Sequence, residues 1–258
     1  MRIVVPMKAV PDLVEEIELT SDGSGIDREY LKFVLNEWDD QALEEALLVK
    51  EAGDAEVIAV GLDSDPDIEQ ALYAALAKGA DKAVKLTGAG EAPDTHARAE
   101  MLAGWLGDQG ADLVITGVQS PDDLDGQLPP ALGARMGLPH VSVVTSIEAG
   151  ADAGTVRVRQ EFSGGRSTEL SVTLPAVVGL QAARQSPRYA PISRIRQMMQ
   201  AGGIEEAPLS PASGTSGLRV RRMYAPESTG HAEMLTGSPD EVAAKIVELL
   251  SARGLVKG

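Results

Sequence analysis

Residues 56–86 read EVIAVGLDSDPDIEQALYAALAKGADKAVKL, and the order of textures in that stretch decides the fold. Glu56 to Gly61 is a short β-branched run, Asp65 to Lys78 places apolar side chains three and four apart, and Lys82 to Leu86 is a second short run. Strand, helix and strand in succession make a βαβ unit, whose helix carries the chain back along the sheet so that the two strands lie parallel. The same alternation extends outward from residue 1 to about residue 140. Further strands are expected at Arg2 to Met7 and Asp112 to Gly117, and further helices at Asn36 to Glu51 and Thr95 to Asp108. Gly53, Gly79 and Gly110 each follow a helical stretch, where a left-handed residue ends the helix. Asp65 and Asp94 stand at or beside two helix starts, where a carboxylate accepts from free backbone N–H groups. The reading is an α/β fold built on a doubly wound parallel sheet.

Beyond His140 the texture becomes antiparallel. Val141 to Ile147, Thr155 to Phe162 and Thr168 to Val172 read as strands, with Gly164 and Gly165 suited to the hairpin between the last two. Pro175 to Leu180 reads as one more buried strand, followed by the polar segment Arg184 to Tyr189 and a helix from about Ser193 to Gln200. Residues Gly202 to Gly217 are rich in Gly, Pro, Ser and Ala and are expected to form a flexible or extended connector. A final amphipathic helix is expected from about Pro239 to Arg253. The expected division is residues 1–190 as an α/β nucleotide-binding domain that includes the antiparallel extension, and 191–258 as a helix, a linker and a C-terminal helix.

Composition narrows the function. The chain has 258 residues and 43% hydrophobic content, enough for a large core without staples. It has no cysteine, which excludes disulfides, thiolate metal sites and cysteine nucleophiles and suits a reducing compartment. The N-terminus opens directly on an apolar strand, with no basic segment leading into a long hydrophobic one, so a cytoplasmic location without membrane insertion is expected. Lys and Arg number 23 against 39 Asp and Glu, and the resulting −16 repels nucleic acid and anionic lipid alike. His96, His140 and His231 lie in separate elements without metal-ligand spacing, and neither Ser163 nor Ser171 sits in a G-x-S-x-G elbow. Lys8, Ala9, Val10 and Pro11 stand where a dinucleotide fingerprint would follow the first strand. No catalytic residue is assigned.

The informative motif is Gly117 to Leu128, GVQSPDDLDGQL, at the carboxyl end of a buried strand and leading into a helix that begins near Gln127. Ligands of open α/β sheets sit at such strand ends, and a helix N-terminus offers unpaired N–H groups to a phosphate. The same residues suit a solvated acidic loop that caps a helix, and Asp122, Asp123 and Asp125 lack the spacing of a calcium loop. The strand ends near Met7 and Gly61 and the helix entry at Asn36 are expected along the same sheet edge. Asn36 by itself reads first as a helix cap.

Taken together, the residues resemble the β subunit of electron transfer flavoproteins, the FixA-like family. The resemblance runs through the opening strand with Lys8 to Asp12, Asn36 and the helix Ala42 to Gly53, and ALAKGADKA at Ala75 to Ala83, of which Gly79-Ala80-Asp81 closes the helix. It continues through Asp112 to Gly117 and the acidic loop, Leu174 to Val178, and Pro187-Arg188-Tyr189. It implies a heterodimer with an α subunit that holds most of the contacts to FAD, and that carries electrons from a flavin-dependent dehydrogenase to a quinone-linked oxidoreductase or another acceptor. It also implies a structural AMP on the β subunit, lined here by Pro6, Asn36, Leu62, Gly117, Asp122, Asp123, Gly126, Gln127 and Leu128, with the amides of Gly126 to Leu128 facing the phosphate. In the electron-bifurcating branch a second FAD takes that place.

Departures are specific. AMP-holding members often carry Asn-Gln-Thr-Gly, and here Leu128 replaces the threonine and its hydroxyl; the Thr-Ala-Gln-Val-Gly run of bifurcating members is matched no better. The resemblance places a dehydrogenase-anchoring leucine where this chain has Arg184, and a lysine-rich stretch where it has Arg194, Ile195, Arg196 and Gln197 to Met199. Arg184, Pro187, Arg188 and Tyr189 are therefore expected to form a more polar recognition region, because arginine pairs with carboxylates through two hydrogen bonds. The C-terminal helix is expected to dock on the α subunit. A rival reading, an adenine-nucleotide regulator resembling universal stress proteins, shares the helix-covered parallel sheet but leaves the antiparallel segment and the Pro-Arg-Tyr region without a role.

Overall fold

The computed structural model describes residues 1–14, 16–29, 31–90, 93–123, 126–209, 220–226, 230 and 232–255. The chain forms two compact units, Met1–Arg221 and Arg222–Gly258. The first is built on a nine-stranded sheet. In chain order its strands and helices are β1 (Arg2–Met7), β2 (Ala9–Pro11), β3 (Phe33–Leu35), α1 (Glu37–Ala52), β4 (Glu56–Leu62), α2 (Ile68–Lys78), β5 (Lys82–Thr87), α3 (Thr95–Leu106), β6 (Leu113–Gly117), α4 (Leu128–Met136), β7 (His140–Ala149), β8 (Thr155–Phe162), β9 (Arg166–Thr173), β10 (Ala176–Leu180), α5 (Ile192–Ala201) and β11 (Ile204–Pro208). The order across the large sheet is β11-β5-β4-β1-β6-β10-β7-β8-β9, and β2 pairs with β3 in a separate two-stranded antiparallel sheet.

The winding starts at β1, proceeds outward through β4 and β5, then restarts on the other side with β6 and β10. All of these pairings are parallel, as is β10 with β7, whereas β7–β8 and β8–β9 are antiparallel. Beyond their first residues Arg2 and Glu56, β1 and β4 are apolar and buried, as are β6 but for Thr116 and all of β10, because both faces are covered. Ile3, Val5 and Met7 join one core layer with Leu43 and Leu47 of α1 and Leu72 of α2. Val4 enters the opposite layer, with Leu102 and Leu106 of α3 and Leu132 of α4. That two-residue alternation places α1 and α2 on one face of the sheet and α3 and α4 on the other.

Several local expectations change. Asp94 caps α3, accepting from the Ala97 N–H at 2.9 Å. Asp65 does not cap α2, whose N-cap is Asp67, because its carboxylate is engaged by Arg98. Gly53 closes α1 in extended backbone instead of the left-handed form. The hairpin between β8 and β9 turns on Gly164 and Gly165, both at positive φ (78° and 72°) that an L side chain disfavours. Ile204–Pro208, expected within a connector, adds instead as a parallel edge strand on β5; residues 210–217 of that connector, like His231, lie outside the described residues.

The second unit carries α6 (Pro239–Ala252), opened by a reciprocal cap in which Ser238 Oγ accepts from the Glu241 N–H and Glu241 accepts from the Ser238 N–H. Ile246, Val247 and Leu249 are exposed on it. Among the described residues no helix is long and apolar enough to cross a membrane.

Candidate functional site

The cleft of interest opens where the winding reverses. β1 follows β4 to its end, with Met7 opposite Gly61, and β6 follows β10 to Gly117 opposite Leu180. Between themselves β1 and β6 pair only at Ile3–Leu113 and Val4–Val114, so their carboxyl ends part. Pro6 brings no N–H to that gap. The space is lined by Pro6, Met7 and Lys8 from β1 and its exit, Asn36 and Asp39 from the start of α1, Val60 to Leu62 from β4, Thr95 and Arg98 from α3, and Gly117 to Leu128 in part. It is narrow, with ≈ 30 Å³ open to the centres of water-sized molecules within ≈ 480 Å³ of non-atom space that includes open solvent.

Asn36 is 2% exposed and serves as the N-cap of α1 by its backbone, yet its side chain makes no capping bond. Nδ2 donates instead to the Gln119 carbonyl at 3.0 Å across the cleft, and Oδ1 is buried without a partner. A buried acceptor left unpaired costs free energy comparable to a lost hydrogen bond, and Asn36 is among the residues that line the cleft. One turn into α1, the Asp39 carboxylate accepts from the Lys8 N–H at 2.9 Å and the Gly117 N–H at 3.1 Å. Burial pushes this carboxyl up to about 7, against the opposing pull of Asn36, the two amides and the Lys8 charge.

Among the described residues, the two cations that line the cleft, Lys8 and Arg98, are paired with carboxylates. Lys8 Nζ donates to Asp122 at 2.6 Å and Ser120 Oγ to the same oxygen at 2.7 Å; burial raises the Asp122 carboxyl, but the Lys8 charge and these bonds outweigh it and hold it below the ordinary value. Thr95 Oγ1 donates to Asp123 at 2.6 Å. Arg98 and Asp65, both buried, form a two-bond pair at 2.9 and 2.6 Å in the α3 wall. Gly126 has φ 61°, and a Cβ there would lie 2.9 Å from the Val118 carbonyl oxygen, so the turn into α4 requires glycine. Pro129 and Pro130 carry no N–H, which leaves the amides of Gly126, Gln127 and Leu128 as the donors at this helix start. Of the expected lining, Pro6, Asn36, Leu62, Gly117, Asp123 and Leu128 face the cleft, while Asp122, Gly126 and Gln127 shape the loop beside it; Asp125 lies outside the described residues.

A sequence model of the Electron transfer flavoprotein domain family matches residues 24–212. Electron transfer flavoprotein subunit beta of Methylophilus methylotrophus is 34% identical over 97% of this chain and 98% of its own. The chain belongs to the electron transfer flavoprotein β-subunit family. The subunit beta of Syntrophomonas wolfei is 30% identical over 96% of this chain and 95% of its own, and the mitochondrial subunit of Arabidopsis thaliana 32% over 76% and 77%.

In this member of the electron transfer flavoprotein family the Arg184 to Tyr189 segment does not hang free. Carboxylates of α1 hold it down. Glu45, 0% exposed, accepts from the backbone N–H of Arg184 at 3.0 Å, from Arg184 Nε at 2.8 Å and from the Ile147 N–H at 2.7 Å. Glu44 takes the Arg188 N–H at 2.9 Å and grips its guanidinium, which also reaches Glu51 at 2.7 Å. Tyr189 is left outward, 79% exposed. Sequence reasoning missed Glu44 and Glu45, which read as ordinary polar positions of a helix, and it missed Asp39, Lys8, Thr95 and Arg98 around the cleft.

Proposed function

We propose that the chain is the β half of an electron carrier. With a flavin-bearing α subunit it passes electrons from a flavin-dependent dehydrogenase to an acceptor such as a quinone-linked oxidoreductase, and its switch-point cleft holds a structural AMP. FAD, held mainly by the α subunit, supplies the redox chemistry. The observation that carries the AMP assignment is the unpaired Oδ1 of Asn36, an acceptor for an adenine amino group or a ribose hydroxyl. The amides of Gly126, Gln127 and Leu128 at the start of α4 offer phosphate oxygens both donors and the positive end of the helix dipole. Leu128 supplies no hydroxyl, and Lys8 and Arg98 are bound to Asp122 and Asp65, so the phosphate charge rests on the backbone. This suits a role in which AMP is a fixed part of the fold. No side chain of this chain is assigned a chemical step.

Co-expression with a cognate α subunit tests the carrier assignment. A yellow complex with equimolar FAD is expected, and two chains that fail to associate, or associate without flavin, contradict it. The exposed apolar side chains Ile246, Val247 and Leu249 of α6 support its docking on α. We assign donor recognition to Arg184, Pro187, Arg188 and Tyr189, with Tyr189 as the outward anchor. Replacing Tyr189 with alanine is expected to slow electron transfer from the cognate dehydrogenase about fivefold or more, as for an interface anchor, while stability stays within about 0.5 kcal/mol. Unchanged stopped-flow rates remove Tyr189 from the docking surface.

A further inference from the structure

We propose that Asp39 is a positioning residue that clamps the two halves of the sheet together at the mouth of the cleft and so fixes the aperture that receives the adenylate. The inference rests on the AMP assignment above and goes beyond it. β1 and β6 share backbone pairing only as far as Val4 and Val114, so nothing in the sheet ladder joins Lys8 to Gly117. The Asp39 carboxylate does, one oxygen accepting from each amide at 2.9 and 3.1 Å. Lys8 and Gly117 both line the cleft, as does Asp39 itself. Asn36, which opens α1, is tied to the same two sides: its N–H donates to the Lys8 carbonyl at 2.9 Å and its Nδ2 to the Gln119 carbonyl at 3.0 Å. A carboxylate can bridge two N–H donors, whereas a carboxamide or a protonated carboxyl has one full acceptor and turns a donor toward the other amide.

A competing effect has the opposite sign. An ionised carboxylate lining the cleft repels a phosphate bound there, so if charge dominates over clamping, removing the charge strengthens AMP binding. The groups that face Asp39 or share its cleft are Lys8 with Asp122 at the exit of β1, Asp123 on the loop after β6, and Arg98 with Asp65 in the α3 wall. On its own helix stand Glu37 and Asp40, the latter paired with Lys78. Lys8 and Arg98 are each matched by a carboxylate, which leaves the amide bridge as the interaction that changes most when Asp39 gains a proton.

The test compares the wild-type complex with Asp39→Asn, measuring affinity for AMP and for adenosine from about pH 5 to about pH 9. Adenosine lacks the phosphate, whose own ionisation falls in the same range. Clamping predicts that the asparagine variant binds both ligands roughly tenfold more weakly at high pH, the scale of one lost hydrogen bond to a charged group. Wild-type affinity then falls toward that of the variant as Asp39 protonates, while the variant's adenosine affinity stays flat. If Asp39→Asn binds AMP as tightly as wild type or more tightly, or if wild-type adenosine affinity shows no pH dependence, the clamp is overturned. If the variant does not fold, the wild-type adenosine profile alone decides. Wild type that binds neither ligand refutes the AMP assignment itself, a separate outcome.

Discussion

Gly117→Ala is expected to destabilise the chain by about 3 kcal/mol and to empty the cleft of the adenylate proposed for it, the first of two effects that follow from how tightly α1 is set against the sheet. An alanine Cβ at that position would lie 2.5 Å from Asp39 Oδ1, 2.8 Å from Trp38 Cβ and 2.9 Å from the Trp38 carbonyl carbon. The last of these belongs to backbone, so no rotamer change relieves the clash. The first turn of α1 must back away, which breaks the bond from the Gly117 N–H to Asp39 and draws Asn36 from the cleft wall. Gly104→Ala provides the control. It makes the same chemical change inside α3, where a Cβ meets nothing within 4 Å, and alanine is favoured over glycine in a helix by about 1 kcal/mol. Denaturant midpoints moving in opposite directions for the two variants, with adenine lost only from the first, support the account. A Gly117→Ala protein that unfolds with the wild type contradicts it.

Glu45→Ala is expected to cost about 3–5 kcal/mol, the range for removing one partner of a buried charged pair. Three donors converge on this carboxylate: the N–H groups of Ile147 and Arg184 and the Nε of Arg184. Its removal orphans two backbone amides and a cation at once. The Arg184 side chain is 31% exposed and regains some water, which places the expected value near the lower end of the range. Arg184→Leu is the informative comparison. It leaves Glu45 with both amides, so it should destabilise less than Glu45→Ala. Equal losses from the two substitutions would show that the amides contribute little. Arg184→Leu also separates docking from scaffolding, because unchanged electron transfer from the dehydrogenase removes Arg184 from the recognition region and leaves it as the lock on Glu45.

How much of this was legible in the sequence differs by element, for physical reasons. β1, β4 and β6 announce themselves because strands buried on both faces are largely apolar, β5 keeps the signal in Ala83, Val84 and Leu86 despite Lys82 and Lys85, and α1 to α3 show because each buries one face. β8 and β9 show in their alternation, and the paired glycines between them leave few other turns. β11 hides because it is an edge strand. Glu205 and Glu206 face water on it and Pro208 ends it, the composition that protects a sheet edge and also imitates a connector. β2 and β3 are three residues each, too short for any period.

At the site, the loop from Gly117 to Leu128 was legible because strand ends and helix starts follow from the fold, and glycines mark where backbone must come close. Asp39 was not. An acidic residue in the first turn of a helix already has a sufficient local explanation in the helix dipole, and its actual partners sit at Lys8 and Gly117. Glu45 and Arg184 are 139 positions apart, and no spacing rule links them. A clue existed in that Glu44 and Glu45 interrupt a stretch otherwise closed to water, and buried carboxylates need cations somewhere. Only the packing says which.

The central claim is that the gap between β1 and β6 holds an adenylate beside a flavin-bearing partner. It is tested most directly by denaturing the purified complex with its α subunit and identifying the released nucleotides by chromatography. The account predicts AMP and FAD in equimolar amounts. FAD alone in twice that amount would replace AMP by a second flavin, and a complex that releases no adenine compound from this chain would contradict the account.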